Sequence, residues 1–439
     1  VLRTILVALA CFPAILSAQW IHQYGADEEA TQLYLFDICT DGGYIIPGIH
    51  RIDGGFEDYD GLVIRTDNQG TVLWQKILGG NLFDQLYSAK QTEDLGFIIT
   101  GSTRLDDEED REMWLVKLDQ WGEVEWSQAY GGDYENQGYS VLETEDDGFI
   151  VAAMQELPVP FLTPHLQVFK TDENGVEQWS QIYFETSNYV GFEMKAVSDG
   201  FVIVGTMNIS PGNSDIFLVK INNEGEQLWL KNFGDTELGE RGFSVHPCEN
   251  GDLALAGTKP SDSFDPDDFW IIRTDSEGEE LWNVTLDNGQ DDEGFSIIET
   301  SDGGLAVVGV TRDIWNDKGI WLVKLEADGE VEWDQVIAAN YDEYGVCIRE
   351  AADWDLVISG WKSHPSEDVG TYKKGLLIRT DEDGNTESLG VDSLIPFAET
   401  HLLKMTNLLG QEVHEAKVGE LVIYLFSDGT SEKRLVLPH

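Results

Sequence analysis

Aspartates crowd two short stretches of this 439-residue chain, RLDDEEDRE from Arg104 to Glu112 and KPSDSFDPDD from Lys259 to Asp268. Carboxylate oxygens are hard ligands, so Asp106, Asp107, Asp110, Asp265, Asp267 and Asp268 are the residues that could hold Ca²⁺. Neither stretch has the alternating ligands and mid-loop glycine of a dedicated calcium loop, and solvated charge is the favoured reading. No other cofactor is expected. His22, His50, His165, His246 and His364 share no register and read as surface residues rather than ligands. Gly138-Tyr-Ser140 and Gly242-Phe-Ser244 lack the closing glycine of a nucleophile elbow, and their serines fall mid-strand. The sequence holds no HExxH, no paired-cysteine zinc spacing and no phosphate loop. Carboxylates are too abundant for any pair to be singled out as an acid and a base. The chemistry on offer is binding, not catalysis.

The 82 acidic against 27 basic residues leave a formal charge of −55. Such a surface repels nucleic acid and anionic headgroups, because it lacks the basic patches that neutralise phosphate. Past the first residues the chain carries Cys39, Cys248 and Cys347. Cys39 and Cys248 stand at the same place in two distant repeats, so they are too far apart to bond and read as small buried hydrophobes.

The elements that must position these residues repeat. WLVKLDQWGEVEWSQAYGG from Trp114 returns as GLVIRTDNQGTVLWQKILGG from Gly61, DIFLVKINNEGEQLW from Asp215, FWIIRTDSEGEELW from Phe269 and IWLVKLEADGEVEW from Ile320. Each copy alternates apolar residues with period two, turns at Asp/Asn/Gly, and alternates again: a β-hairpin. The following-strand tryptophans, Trp74, Trp126, Trp179, Trp229, Trp282 and Trp333, lie 50 to 53 residues apart. Two further strands precede each hairpin, as in Gly138–Thr144 and Phe149–Ala152. Four strands per unit of about 50 residues fit a β-propeller. Seven turn glycines (Gly70, Gly122, Gly175, Gly225, Gly278, Gly329, Gly384) face only six such tryptophans. The missing strand is Trp20-Ile-His-Gln-Tyr24, at the other end. The spacing therefore predicts an all-β, seven-bladed propeller over residues 19–388, closed by its N-terminal strand beside residues near 376 to 381. The tryptophans are expected to pack between blades.

Loops from second to third strand (50–60, 104–112, 156–165, 259–268, 362–374) and between units (133–137, 288–293) are long, dissimilar and confined to one face. Variable loops on a rigid scaffold carry function, which makes that face the candidate contact surface. The inner strands read mainly as serine and apolar residues, which argues against a charged catalytic channel. Three functions follow: a non-catalytic binding module for a glycan, peptide or protein, as a monomer; a polysaccharide- or peptide-degrading enzyme at the channel; or a structural, adhesive module. The first is favoured over the second.

The chain ends suggest export. Arg3, the apolar run Ile5–Ile15 and Leu16-Ser17-Ala18 read as a signal peptide (residues 1–18) cleaved between Ala18 and Gln19. No later segment is apolar enough to be a transmembrane helix.

The units resemble secreted bacterial β-propeller repeats, in which a strand like DIFLVKINNEGEQLW leads to FG or YGG and then to an ALAGT-like strand. They are also similar to pyrroloquinoline-quinone-type propellers, whose cofactor-holding residues have no counterpart here. Residues 389–439 resemble the type A C-terminal sorting domain of the Bacteroidetes type IX secretion system. The resemblance rests on LLKMTNLLGQEV (with Leu409 and Gly410), on YLFSDG (with Asp428 and Gly429), and on Lys433-Arg434 before the last apolar residues. It implies a short β segment, the type IX machinery as partner, and a secreted or outer-cell-surface location. The opening Pro-Asn-Pro strand of that family is reduced to Ile395-Pro396-Phe397.

Overall fold

The computed structural model describes residues 19–386 apart from 26–28, 52–58, 81, 106–109, 132–133, 158–162, 185–187, 211, 236–237, 262–265, 290, 313–317, 338–341 and 367–369, together with five strands beyond residue 393. The chain divides into two compact units with the boundary between Ser393 and Leu394. Every described element is β, and no described helix is long and apolar enough to cross a membrane.

The first unit is a ring of seven antiparallel blades of four main strands each. Blade 1 spans residues 30–78, blade 2 85–130, blade 3 136–183, blade 4 188–233, blade 5 241–286 and blade 6 293–337. Blade 7 takes three strands from 343–379 and its fourth from Trp20–Tyr24. Blade 3 shows the pattern, with strands Asn136–Glu143, Phe149–Leu157, Thr163–Thr171 and Glu177–Tyr183 running from inside to outside. The two middle strands are sandwiched by neighbouring blades on both faces, so they are near-continuous runs of Val, Ile, Leu and Phe. The outer strand is half-exposed and alternates. Each third-to-fourth turn is closed by an aspartate or asparagine. The Asp119 carboxylate, for example, accepts the amides of Trp121 and Glu123.

The ring closes through the N-terminal strand, from Trp20 opposite Arg379 to Tyr24 opposite Gly375. Tyr24 is wholly buried, and its hydroxyl donates to the Gly70 carbonyl at 2.8 Å.

The tryptophans explain why blades stack with one geometry. Each lies against the turn glycine of the next blade: Trp74 on Gly122, Trp126 on Gly175, Trp179 on Gly225, Trp229 on Gly278, Trp282 on Gly329 and Trp333 on Gly384. Trp20 does the same on Gly70, so the N-terminal strand completes the series rather than merely capping an edge. These rings are half-buried, not core residues proper. Glycine is needed there twice over. Gly225 has φ +83°, and a Cβ on it would come within 2.8 Å of the Trp179 ring.

The second unit is a small antiparallel sheet with strand order Glu412–Val413, Leu402–Asn407, Leu421–Phe426, Ser431–Leu435. Lys433 and Arg434 fall in its last strand. Leu409, Gly410, Asp428 and Gly429 lie outside the described residues, as does Ala18.

Candidate functional site

The seven innermost strands surround the ring's axis, and six of them carry a β-bulge at one place. In the strand pairs of blades 2 to 7 the register shifts between Leu86 and Ser88, Gly138 and Ser140, Gly191 and Glu193, Gly242 and Ser244, Gly294 and Ser296, and Gly345 and Cys347. The extra residue is Tyr87, Tyr139, Phe192, Phe243, Phe295 and Val346 respectively. A bulge re-aims the side chain of its extra residue, and here five aromatic rings meet side by side. With Tyr34 of blade 1 they form a chain around the axis. Centroid separations are 5.5 Å (Tyr34–Tyr87), 5.1 Å (Tyr87–Tyr139), 5.5 Å (Tyr139–Phe192), 5.5 Å (Phe192–Phe243) and 5.2 Å (Phe243–Phe295). All six rings keep part of their surface open. Gln85 donates to the Tyr34 hydroxyl at 3.0 Å, and Tyr87 and Tyr139 both donate to Gln137 at 3.2 Å.

In blades 3 to 6 the serine or its replacement after the bulge staples neighbouring blades. Ser140 Oγ accepts the Met194 amide, Ser244 Oγ the Ile297 amide and Ser296 Oγ the Ile348 amide, at 3.2 to 3.3 Å. Blade 4 has Glu193 at this position. Its Oε2 accepts the Val245 amide at 3.2 Å and the Ser244 hydroxyl at 2.6 Å. These serines are structural acceptors, as their mid-strand placement leads one to expect.

Two to three residues further along the same strands, charge does converge, contrary to the expectation of an apolar and serine-lined interior. Glu193 Oε1 sits 2.6 Å from Lys195 Nζ and 3.9 Å from Arg349. Lys90 pairs with Asp37 at 2.8 Å. Arg349 also donates to the Ile348 carbonyl at 2.7 Å and lies over the Phe36 ring. Burial would raise the Glu193 pKa, but Lys195 and Arg349 outweigh it and hold the carboxyl at about 2. Burial, reinforced by Lys195, pushes His246 down to about 4, so it is neutral at pH 7. Lys90, Lys195 and Arg349 against Asp37 and Glu193 leave one surplus positive charge in the middle of a chain of net charge −55. The sequence hid this because positions 37, 90, 193, 195, 246 and 349 follow no repeat in residue type. The aromatic series at 34, 87, 139, 192, 243 and 295 was visible as a spacing of 51 to 53.

The hairpin registers put the interblade segments and the second-to-third-strand connections at one end of every blade. In blade 6, Arg312 pairs with Lys318 there, beside Glu293 opposite Val310. The other face carries two interblade grooves of about 320 and 490 Å³, and Lys324 with Asp302 and Lys117 with Asp94 line them. Those pairs are scaffold.

Of the acidic candidates, Asp106, Asp107 and Asp265 lie outside the described residues. Asp110 adds its charge to that felt by Glu156, and Asp267 accepts from Arg241 at 2.5 Å, so neither joins a described carboxylate cluster. Asp268 does join one, with Asp287 and Asp292. Gln19 reaches Asp381 at 3.4 Å.

The protein is thus a seven-bladed β-propeller with an aromatic-ringed, charged channel. No protein-family profile matches the chain. A curated relative, Regulatory protein FlaEY of Caulobacter vibrioides, is 28% identical over 193 residues, covering 40% of this chain and 20% of that protein. The chain thus spans about a fifth of that relative's length. Among solved structures, similar ones include the Pan2 WD40 domain of Neurospora crassa (TM-score 0.47, 9% identity, 81% of this chain and 91% of that one). Another is the subtype N11 neuraminidase-like protein of A/flat-faced bat/Peru (H18N11) (TM-score 0.45, 11% identity, 83% and 91%). A third is Sqt1 of Chaetomium thermophilum (TM-score 0.46, 13% identity, 95% and 98%).

Proposed function

We propose that the protein is an exported, non-catalytic binding module that takes an extracellular glycan, peptide or protein segment at its channel. The ring of six partly open aromatic side chains carries this reading. Such rings supply large apolar contact area at low conformational cost, with tyrosine hydroxyls for polar ends. The surplus cation beneath them favours a ligand with an acidic group. Glu193 is not placed to act as a general acid. With both oxygens engaged and its pKa near 2, it holds no proton to give at neutral pH.

The test is a screen of the chain from Gln19 onward against acidic and neutral polysaccharides and against peptides, scored for turnover and for thermal shift. Binding without turnover, weakened about tenfold or more by Tyr87→Ala or Phe243→Ala, is expected. Turnover of any polymer would rule out the binding-only reading, and silence on both scores would leave the adhesive one.

Export rests on the residues of the two ends. The type IX reading of residues 389–439 is tested by fusing them to a periplasmic carrier in a host with that system. Delivery of the carrier to the surface or medium is expected; retention in the periplasm would sink it.

A further inference from the structure

Where blade 5 passes into blade 6, two connections meet on the loop face. Asp268 is the second residue of the third strand of blade 5, while Asp287 and Asp292 begin and end the segment between its fourth strand and the first strand of blade 6. One carboxylate oxygen from each lies within 4.8 Å of the other two. Asp292 is fully buried and Asp268 is 5% exposed, whereas Asp287 is open to solvent. Asp292 Oδ2 accepts the Asn288 amide at 2.6 Å. Its Oδ1 is buried with no hydrogen-bond partner. The Thr311 hydroxyl is near enough to favour the ionised carboxyl.

Equivalent junctions show that this is not simply how the fold closes a loop. Between blades 1 and 2 the same place holds Asp84. Its Oδ2 accepts the Gly80 amide at 2.8 Å, and its Oδ1 accepts the hydroxyl of Thr103, the counterpart of Thr311. Both oxygens are satisfied. Between blades 4 and 5 the place holds Glu240, with Asp215 and Asp235 nearby, and there Lys259 sits 2.7 Å from Asp235. In blade 6 the position of Lys259 is taken by the uncharged Thr311, and Arg312 beside it lies 3.4 Å from Asp291. At the 4–5 junction Asp215 Oδ1 and Glu240 Oε2 also lack a partner, but Asp215 is only half-buried and Lys259 supplies a cation there. Among the described residues, two buried carboxylates converge with a third acid only at the 5–6 junction.

Three converging carboxylates, one of them with a buried, unpartnered oxygen, call for a hard cation. We propose that Asp268, Asp287 and Asp292 bind one calcium-type divalent cation, clamping blade 5 to blade 6 on the face that carries the variable loops. Calcium suits the place better than magnesium because the donors come from two separate connections. Calcium tolerates irregular coordination, whereas magnesium demands a near-octahedral shell.

The full chain, stripped with EDTA, is titrated with CaCl₂ and with MgCl₂ by calorimetry and by melting temperature. One saturable calcium site per chain and a rise in melting temperature are expected. Asp287→Asn should weaken that site tenfold or more without disturbing the apo fold, since Asp287 is exposed. Asp292→Asn should abolish it. Asp110→Asn, on a different acidic loop, should leave it unchanged and so separate the site from diffuse attraction to a polyanion. No saturable heat, unchanged affinity in Asp287→Asn and Asp292→Asn, or a response to magnesium alone would each overturn the proposal.

Discussion

At the scale of single residues the fold depends on one contact made seven times, a tryptophan laid on the next blade's left-handed glycine. Trp179→Ala removes a half-buried ring and should cost about 2 to 3 kcal/mol, near the low end for a large-to-small aromatic change. Gly225→Ala should cost a similar amount for a different reason. It forces a Cβ into positive φ, at about 1 kcal/mol or more, and pushes it against the same ring. Chemical denaturation of both variants and of the double variant checks this. Strongly non-additive losses are expected, because either change alone breaks the contact. Cysteines give a second residue-scale test. Cys39, Cys248 and Cys347 are free and buried, and burial pushes Cys39 and Cys248 up to about 12. The native protein should therefore resist a thiol reagent until denaturant is added, and reductant should leave the melting temperature where it is.

At the scale of the blade, the recurrent unit is an ion pair that the hairpin sequence conceals. The third strand of each blade buries a base that reaches the first-to-second turn. The pairs are Arg65 with Asp41, Lys117 with Asp94, Lys170 with Asp146, Lys220 with Asp199, Arg273 with Asp252, Lys324 with Asp302 and Arg379 with Asp355. Alternation places these bases on the strand but not inside the ring, so from sequence they read as a solvated edge. The Thr144 hydroxyl and Lys170 hold Asp146 at about 2. Burial works against Asp302, but the Thr300 hydroxyl, the Gly304 amide and Lys324 bring it to about 2 as well. Carboxyls depressed in the folded state stabilise above their unfolded pKa of about 4 and lose that contribution as pH falls toward 2. The melting temperature should thus drop between pH 4 and 2, and more shallowly in Asp146→Asn and Asp302→Asn. An equal slope in those variants would remove the ladder from the account of acid stability.

At the scale of the whole molecule, stability comes from closure. An open array would leave the outer edge of blade 7 unpaired. Deleting residues 19–25 removes the Trp20–Gly70 contact, the buried Tyr24 and five paired residues at once. Calorimetry should show a melting temperature lower by about 10 °C or more, or a broadened transition. A synthetic peptide of residues 19–25 should restore part of the loss. A truncated ring that melts like the intact one would mean that the first strand only decorates a blade able to stand without it.

Sequence alone determined the repeat, the blade count and the closing strand. Period-two alternation, turn glycines and tryptophans at near-constant spacing are local and periodic, so each copy reinforces the others. It also marked Asp268 as a possible ligand. What it could not supply was convergence. Lys90, Glu193, Lys195 and Arg349 come from three blades, and Asp268, Asp287 and Asp292 from two successive connections. Only the bending of seven blades around an axis brings such distant, unpatterned side chains within a few ångströms of one another, where burial and mutual charge set their chemistry.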